Sequence, residues 1–162
     1  MTIIHPVNES HKHKLSLKSR SKIGGAKLCL LALLGVSQLG VAASIKPLHF
    51  EKGAVSSKVS GVLAAKQQDT WYQFKAQKGQ FALINITPLK GTAETANVGV
   101  LHMPSGQQDG SKGGIVYQNC LPETGTYKLR IARNLMATQG GKAGYQAEVI
   151  ILPTYASQDL CQ

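Results

Sequence analysis

The chain has 162 residues, a length that suits one domain, and carries 18 Lys and Arg against eight Asp and Glu, a net charge of +10. Half of that excess lies in residues 1–43, where six basic residues face only Glu9; the remainder sets twelve basic residues against seven acids, or +5. A net +5 fits simple solubility or an anionic partner, such as lipid headgroups or a carboxylate-lined cleft, and with export expected and no nucleic-acid motif in the chain, a nucleic-acid role is set aside.

The first expected element is a leader. Lys12, Lys14, Lys18, Arg20, Lys22 and Lys27 precede the apolar run LCLLALLGVSQLGVAA (28–43), and Val41-Ala42-Ala43 offers small residues for cleavage before Ser44. A basic, then apolar, then small-residue order reads as a secretory signal peptide. The run is shorter than the roughly 20 residues that span a bilayer, which leaves an uncleaved inner-membrane anchor as the minor alternative. No lipobox is present, because Cys29 opens the apolar run. The expected location is periplasmic or secreted, with residues 44–162 as one domain.

From Ser44 onward the pattern has period two, broken by turn residues. Strands are expected at Ile45–Glu51 (an edge, given Pro47), Val55–Ala65, Trp71–Ala76, Gln80–Thr87, Asn97–Met103, Ile115–Cys120, Thr126–Arg133 and Tyr145–Leu152. Gly106–Gly114 is rich in Gly, Gln and Ser and reads as an exposed loop. Four stripes are expected to face inward: Tyr72, Phe74 and Ala76; Ala82, Ile84 and Ile86; Tyr127, Leu129 and Ile131; and Tyr145, Ala147, Val149 and Ile151. Lys75, Lys128 and Arg130 fall on the solvated side. Trp71 is out of phase with its neighbours and reads as a partly buried cap or as an exposed recognition aromatic. About eight short strands with no competing helical period define an all-β chain, an antiparallel β-sandwich.

Two cysteines lie beyond the leader, Cys120 and Cys161. In an oxidising compartment such a pair reads as one disulfide, tying the C-terminal tail to the strand end near residue 120; the spacing does not suit a metal site. No catalytic constellation stands out. His49 and His102 each sit alone in an expected strand, the seven carboxylates form no pairing suited to metal or acid–base work, and no serine lies in a nucleophile elbow. The chain therefore reads as a non-enzyme that needs no cofactor and no metal.

The runs FEKGAVSSKVSG (50–61), WYQFKAQKGQ (71–80), CLPETGTYKLRIARN (120–134) and GYQAEVII (144–151) stand in the order found in bacterial periplasmic inhibitors of g-type lysozyme, and the chain resembles that family, itself similar to pre-peptidase C-terminal β-sandwich domains. The resemblance implies a protein inhibitor whose loops enter a lysozyme's carboxylate-lined cleft, where a guanidinium makes charge-assisted bonds. It implies lysozyme, of g type, as partner and Arg133 and Asn134 as the contact residues. The family's second arginine, four positions on, is Ala137 here, and its tyrosine in the turn before the WYQF strand is replaced by Gln67 and Gln68. The alternative within the same resemblance is a stand-alone module binding an anionic envelope glycan or lipid, with Lys75, Lys128, Arg130 and Trp71 as its surface.

LPETG (121–125) resembles the signal that sortases cleave. The 37 residues that follow contain no apolar run longer than Val149–Pro153, so the motif reads instead as a turn beside Cys120 that launches the strand Thr126–Arg133.

Overall fold

A computed structural model describes residues 44–162, so the expected leader and its cleavage site lie outside the described residues. The strands are β1 (Ile45–Pro47), β2 (Ser56–Leu63), β3 (Asp69–Ala76), β4 (Phe81–Pro88), β5 (Asn97–His102), β6 (Gln108–Ser111), β7 (Gly114–Cys120), β8 (Gly125–Arg133) and β9 (Ala143–Ile151). Two helical turns join them, α1 (Leu135–Thr138) and α2 (Thr154–Ser157). The strands form two sheets, ordered β1-β3-β8-β5-β6 and β2-β9-β4-β7. Every pairing is antiparallel except β1 with β3.

The alternation seen in the sequence becomes the core. Tyr72, Phe74, Ala82, Ile84, Ile86, Tyr127, Leu129, Ile131, Tyr145, Ala147 and Val149 are all buried between the sheets. Ile151, the last of its stripe, is half-buried where β9 leaves the sandwich. The Phe74 and Tyr127 rings stack with centroids 5.6 Å apart, and the Tyr72 and Tyr145 hydroxyls meet at 2.7 Å inside the core. Burial, reinforced by that Tyr72 hydroxyl, pushes the Tyr145 phenol far above its ordinary range, so it stays neutral. At β7 the register shifts between Ile84 and Asn85 of its partner, and Val116 and Tyr117 both turn inward, a bulge that interrupts strict alternation.

Three features depart from expectation. β1 ends at Pro47, although Leu48 still donates its N–H to Gln73; the expected strand ran on to Glu51. Gly106–Gly114 is not wholly loop: Gln108–Ser111 pairs with β5, from His102↔Gln108 to Gly99↔Ser111. Its residues have little strand propensity, and it is the open edge of β5 that recruits them. The two four-residue helical turns are too short to impose a period on the sequence.

LPETG is a turn with three ties. Leu121 is buried, its N–H bonding to Gln80 and its carbonyl accepting from Gly79, so it pairs with the β3–β4 turn, where Gly79 has φ of 80°. The Tyr127 hydroxyl donates to the Glu123 carbonyl at 2.7 Å and accepts from the Glu123 N–H at 3.2 Å, a tyrosine corner in miniature. Gly125 is needed for closeness rather than for φ: a Cβ there would lie 2.8 Å from Pro104. Just before it, Cys120 is joined to Cys161 by a disulfide with Cα atoms 5.6 Å apart.

Candidate interaction surface

The period of β8 decides the place of Arg133. Residues 127, 129 and 131 face inward, and 133 continues that phase, so its side chain enters the end of the sandwich and is only 5 % exposed. No carboxylate meets it among the described residues. Its guanidinium is instead taken up by main-chain carbonyls: Leu63 at 2.8 Å, Gln67 at 3.1 and 3.2 Å, and those of Ala64 and Gly141. A planar cation with five N–H donors suits such a ring of acceptors, and each bond removes an unpaired carbonyl from the loop ends. Its own N–H donates to the Gln68 carbonyl. Arg133 thus fastens the β2–β3 loop (64–68) to the β8–β9 loop (134–142).

Asn134 adds the β4–β5 loop (89–96). Its amide donates to the Thr95 carbonyl at 2.8 Å, its backbone N–H donates to Ala96, and its Oδ1 accepts from the Ala137 N–H, capping α1. Gln139, in the left-handed region with φ of 46°, ends the turn. Nearby, Asn97 is buried and donates to the Gly144 carbonyl at 2.8 Å. Three loops are thereby braced into one end of the sandwich. From that end α1 raises Leu135, 58 % exposed, and Met136, 88 % exposed. The two residues expected as contacts therefore spend their polar groups inside the protein, and the apolar pair beside them faces solvent. Gln67 and Gln68 are exposed on the adjoining loop, and Ala137 is half-buried. Leu135 and Met136 went unnoticed in the sequence; the available signal was an apolar pair lying outside every strand period, just before the Gln139-Gly140-Gly141 break.

The other expected residues lie elsewhere. Trp71 is half-buried on the outer face of the first sheet, 4.9 Å from the His102 ring, with the Arg130 guanidinium 5.7 Å over its own ring. Arg130 also donates to Asp69 at 2.8 Å. Trp71 is therefore a cap within a local stack, while Lys75 and Lys128 are exposed. The His102 Nε2 is buried and has no hydrogen-bond partner among the described residues. Desolvation, helped by Arg130 and Lys128, lowers the His102 pKa from its ordinary 6.5. His49 is exposed, and its carbonyl accepts from Ser57. Among the described residues no three His, Cys, Asp or Glu gather as metal ligands, and no helix is long and apolar enough to cross a membrane.

Two packed sheets with loops braced at one end define a β-sandwich of the kind shared by lysozyme inhibitors and pre-peptidase C-terminal domains. Among solved structures, the chain is similar to PliG of Aeromonas hydrophila, a periplasmic lysozyme inhibitor of g-type lysozyme, with 19% identity and a TM-score of 0.54 over 67% of this chain and 96% of that one. It is similar to Salmonella Typhimurium PliG, also a periplasmic inhibitor of g-type lysozyme, with 21% identity and a TM-score of 0.54 over 68% of this chain and 100% of that one. The pre-peptidase C-terminal domain of a Bacillus anthracis collagenase follows, with 16% identity and a TM-score of 0.51 over 68% of this chain and 98% of that one. At these identities the likeness is one of fold. No protein-family model and no curated protein matches the chain.

Proposed function

We propose that this chain is a periplasmic protein inhibitor of lysozyme, of g type, which docks through the loop end carrying Leu135 and Met136. One observation carries the reading: on a fold shared with inhibitors of g-type lysozyme, three loops are locked together and hold two apolar side chains out in water. Exposed apolar groups on a rigid support act as anchors, because little conformational freedom is lost when they are buried against a partner. Arg133 and Asn134 serve this surface by fixing its shape, with their polar groups committed to Leu63, Gln67, Thr95 and the other carbonyls around them. The exposed Gln67 and Gln68 flank the anchor and supply neutral hydrogen-bonding groups to a carboxylate-lined cleft. The leader expected in residues 1–43 would bring the chain to the periplasm, where a disulfide such as Cys120–Cys161 persists.

The test is inhibition of a g-type lysozyme on a cell-wall suspension. Near-stoichiometric inhibition is expected, and Met136→Asp should weaken it at least about tenfold with unchanged thermal stability, since the side chain is already in water. Absence of inhibition at large molar excess overturns the reading.

A further inference from the structure

The opposite end of the sandwich carries a second feature. The register of β3 with β8 runs from Asp69↔Ala132 at the braced loop end to Ala76↔Gly125 at the other. The two ends are therefore about 25 Å apart, eight residues of extended strand. At the far end lies an open cleft of about 840 Å³, walled by the end of β3, the start of β8 and the Pro153–Tyr155 segment.

Its lining is chemically distinctive. Tyr155 is 80 % exposed, yet it is not on a loose tail. Two residues on, Ser157 is completely buried; its hydroxyl accepts from the Phe81 N–H at 2.9 Å and faces the Leu152 and Pro153 carbonyls at 3.3 and 3.0 Å. Four residues beyond that, Cys161 is clamped to Cys120. The Pro153–Ser157 turn that carries the ring is thereby anchored, and the ring itself stands in water. Gln77, Thr126 and Thr154 also line the cleft, and none of their side chains bonds another described residue; Lys75, exposed in the same lining, pairs with no described carboxylate. Among the described residues no acidic one lines the cleft.

We propose that this cleft binds a saccharide bearing a carboxylate. A sugar ring presents one apolar C–H face, which suits an exposed aromatic ring, and a rim of hydroxyl and amide groups, which suits the Thr and Gln side chains. A single cation in a lining without anions selects a single negative charge on that sugar. The proposal does not rest on lysozyme inhibition, which uses the other end, and a chain could hold both partners at once.

The experiment titrates isotope-labelled full-length protein, followed by NMR, with two probes: the disaccharide of N-acetylglucosamine with N-acetylmuramic acid, which bears one carboxylate, and neutral chitobiose. Shift changes are expected at Thr126, Thr154 and Tyr155, with the acidic disaccharide bound about tenfold more tightly. Tyr155→Ala should weaken both about tenfold, and Lys75→Gln should abolish the preference for the acidic one. Both residues are exposed, so the variants fold, and the dispersion of the same spectra verifies it. Absence of shifts at the cleft with the acidic disaccharide, or shifts that survive Tyr155→Ala unchanged, overturns the site; a preference that survives Lys75→Gln overturns its charge selectivity.

Discussion

Arg133 shows how much one side chain can decide. A guanidinium shielded from water is costly unless its donors are met, and here carbonyls from two loops, Gln67 and Gly141 among them, meet them. Arg133→Met would leave those carbonyls without a donor in a site made for a cation. A loss of about 3 kcal/mol is expected in urea denaturation, with the three loops gaining amide exchange ahead of the sheets. If the chain inhibits lysozyme as proposed, Arg133→Ala should weaken inhibition as well, through loss of loop shape, so the stability and inhibition losses should arrive together; Met136→Asp should separate them. His102 supplies a pH dependence. Its pKa is lowered in the fold by desolvation and by the nearby Arg130 and Lys128, whereas the unfolded chain titrates near 6.5. Below that value the unfolded state binds more protons than the folded one, so stability should be greatest above about pH 6.5 and fall progressively as the pH drops through and below it. Thermal melting from pH 7.5 to 5 checks this, and His102→Gln should flatten the slope in that window.

Among the elements, the LPETG turn and the C-terminal segment carry the clearest expectations. Tyr127→Phe keeps the ring stacked on Phe74 and removes only the hydroxyl that grips Glu123, so a loss of about 1–2 kcal/mol is expected in denaturant unfolding. Reducing the Cys120–Cys161 bond releases a loop with a separation of 41 residues, and about 4 kcal/mol should be lost in the chain-entropy account. Cys161→Ser should show the same deficit as a lower melting temperature and should loosen the support of Tyr155. The braced loop end is built from other bonds, so inhibition measured well below the melting temperature should persist. The strands themselves were largely legible in the sequence, because apolar residues at every second position can be buried only by a strand with one face inward. β6 was not: Gln108–Ser111 becomes a strand by pairing with the vacant edge of β5, and a vacant edge is not written in the four residues that fill it.

At the scale of the molecule, the sequence alone determined the all-β class, the inward stripes, the turn role of LPETG and the two cysteines that join. Each follows from local chemistry: period-two burial, turn geometry, and a pair of thiols in an oxidising compartment. The family resemblance in the sequence also singled out Arg133 and Asn134, and the sequence held the orientation of Arg133, since 133 shares the phase of 127, 129 and 131. What it did not contain was where the carbonyls would be. Leu63, Ala64, Gln67 and Gly141 come from segments up to 70 residues before Arg133 and eight after it, and only the closing of two sheets brings them around one guanidinium. The same closure leaves Leu135 and Met136 outside at one end and Tyr155 outside at the other. Strand phase is a property of neighbours along the chain, so the sequence carries it; which groups meet at the ends of a sandwich depends on long-range pairing, and that was decided by the tertiary structure.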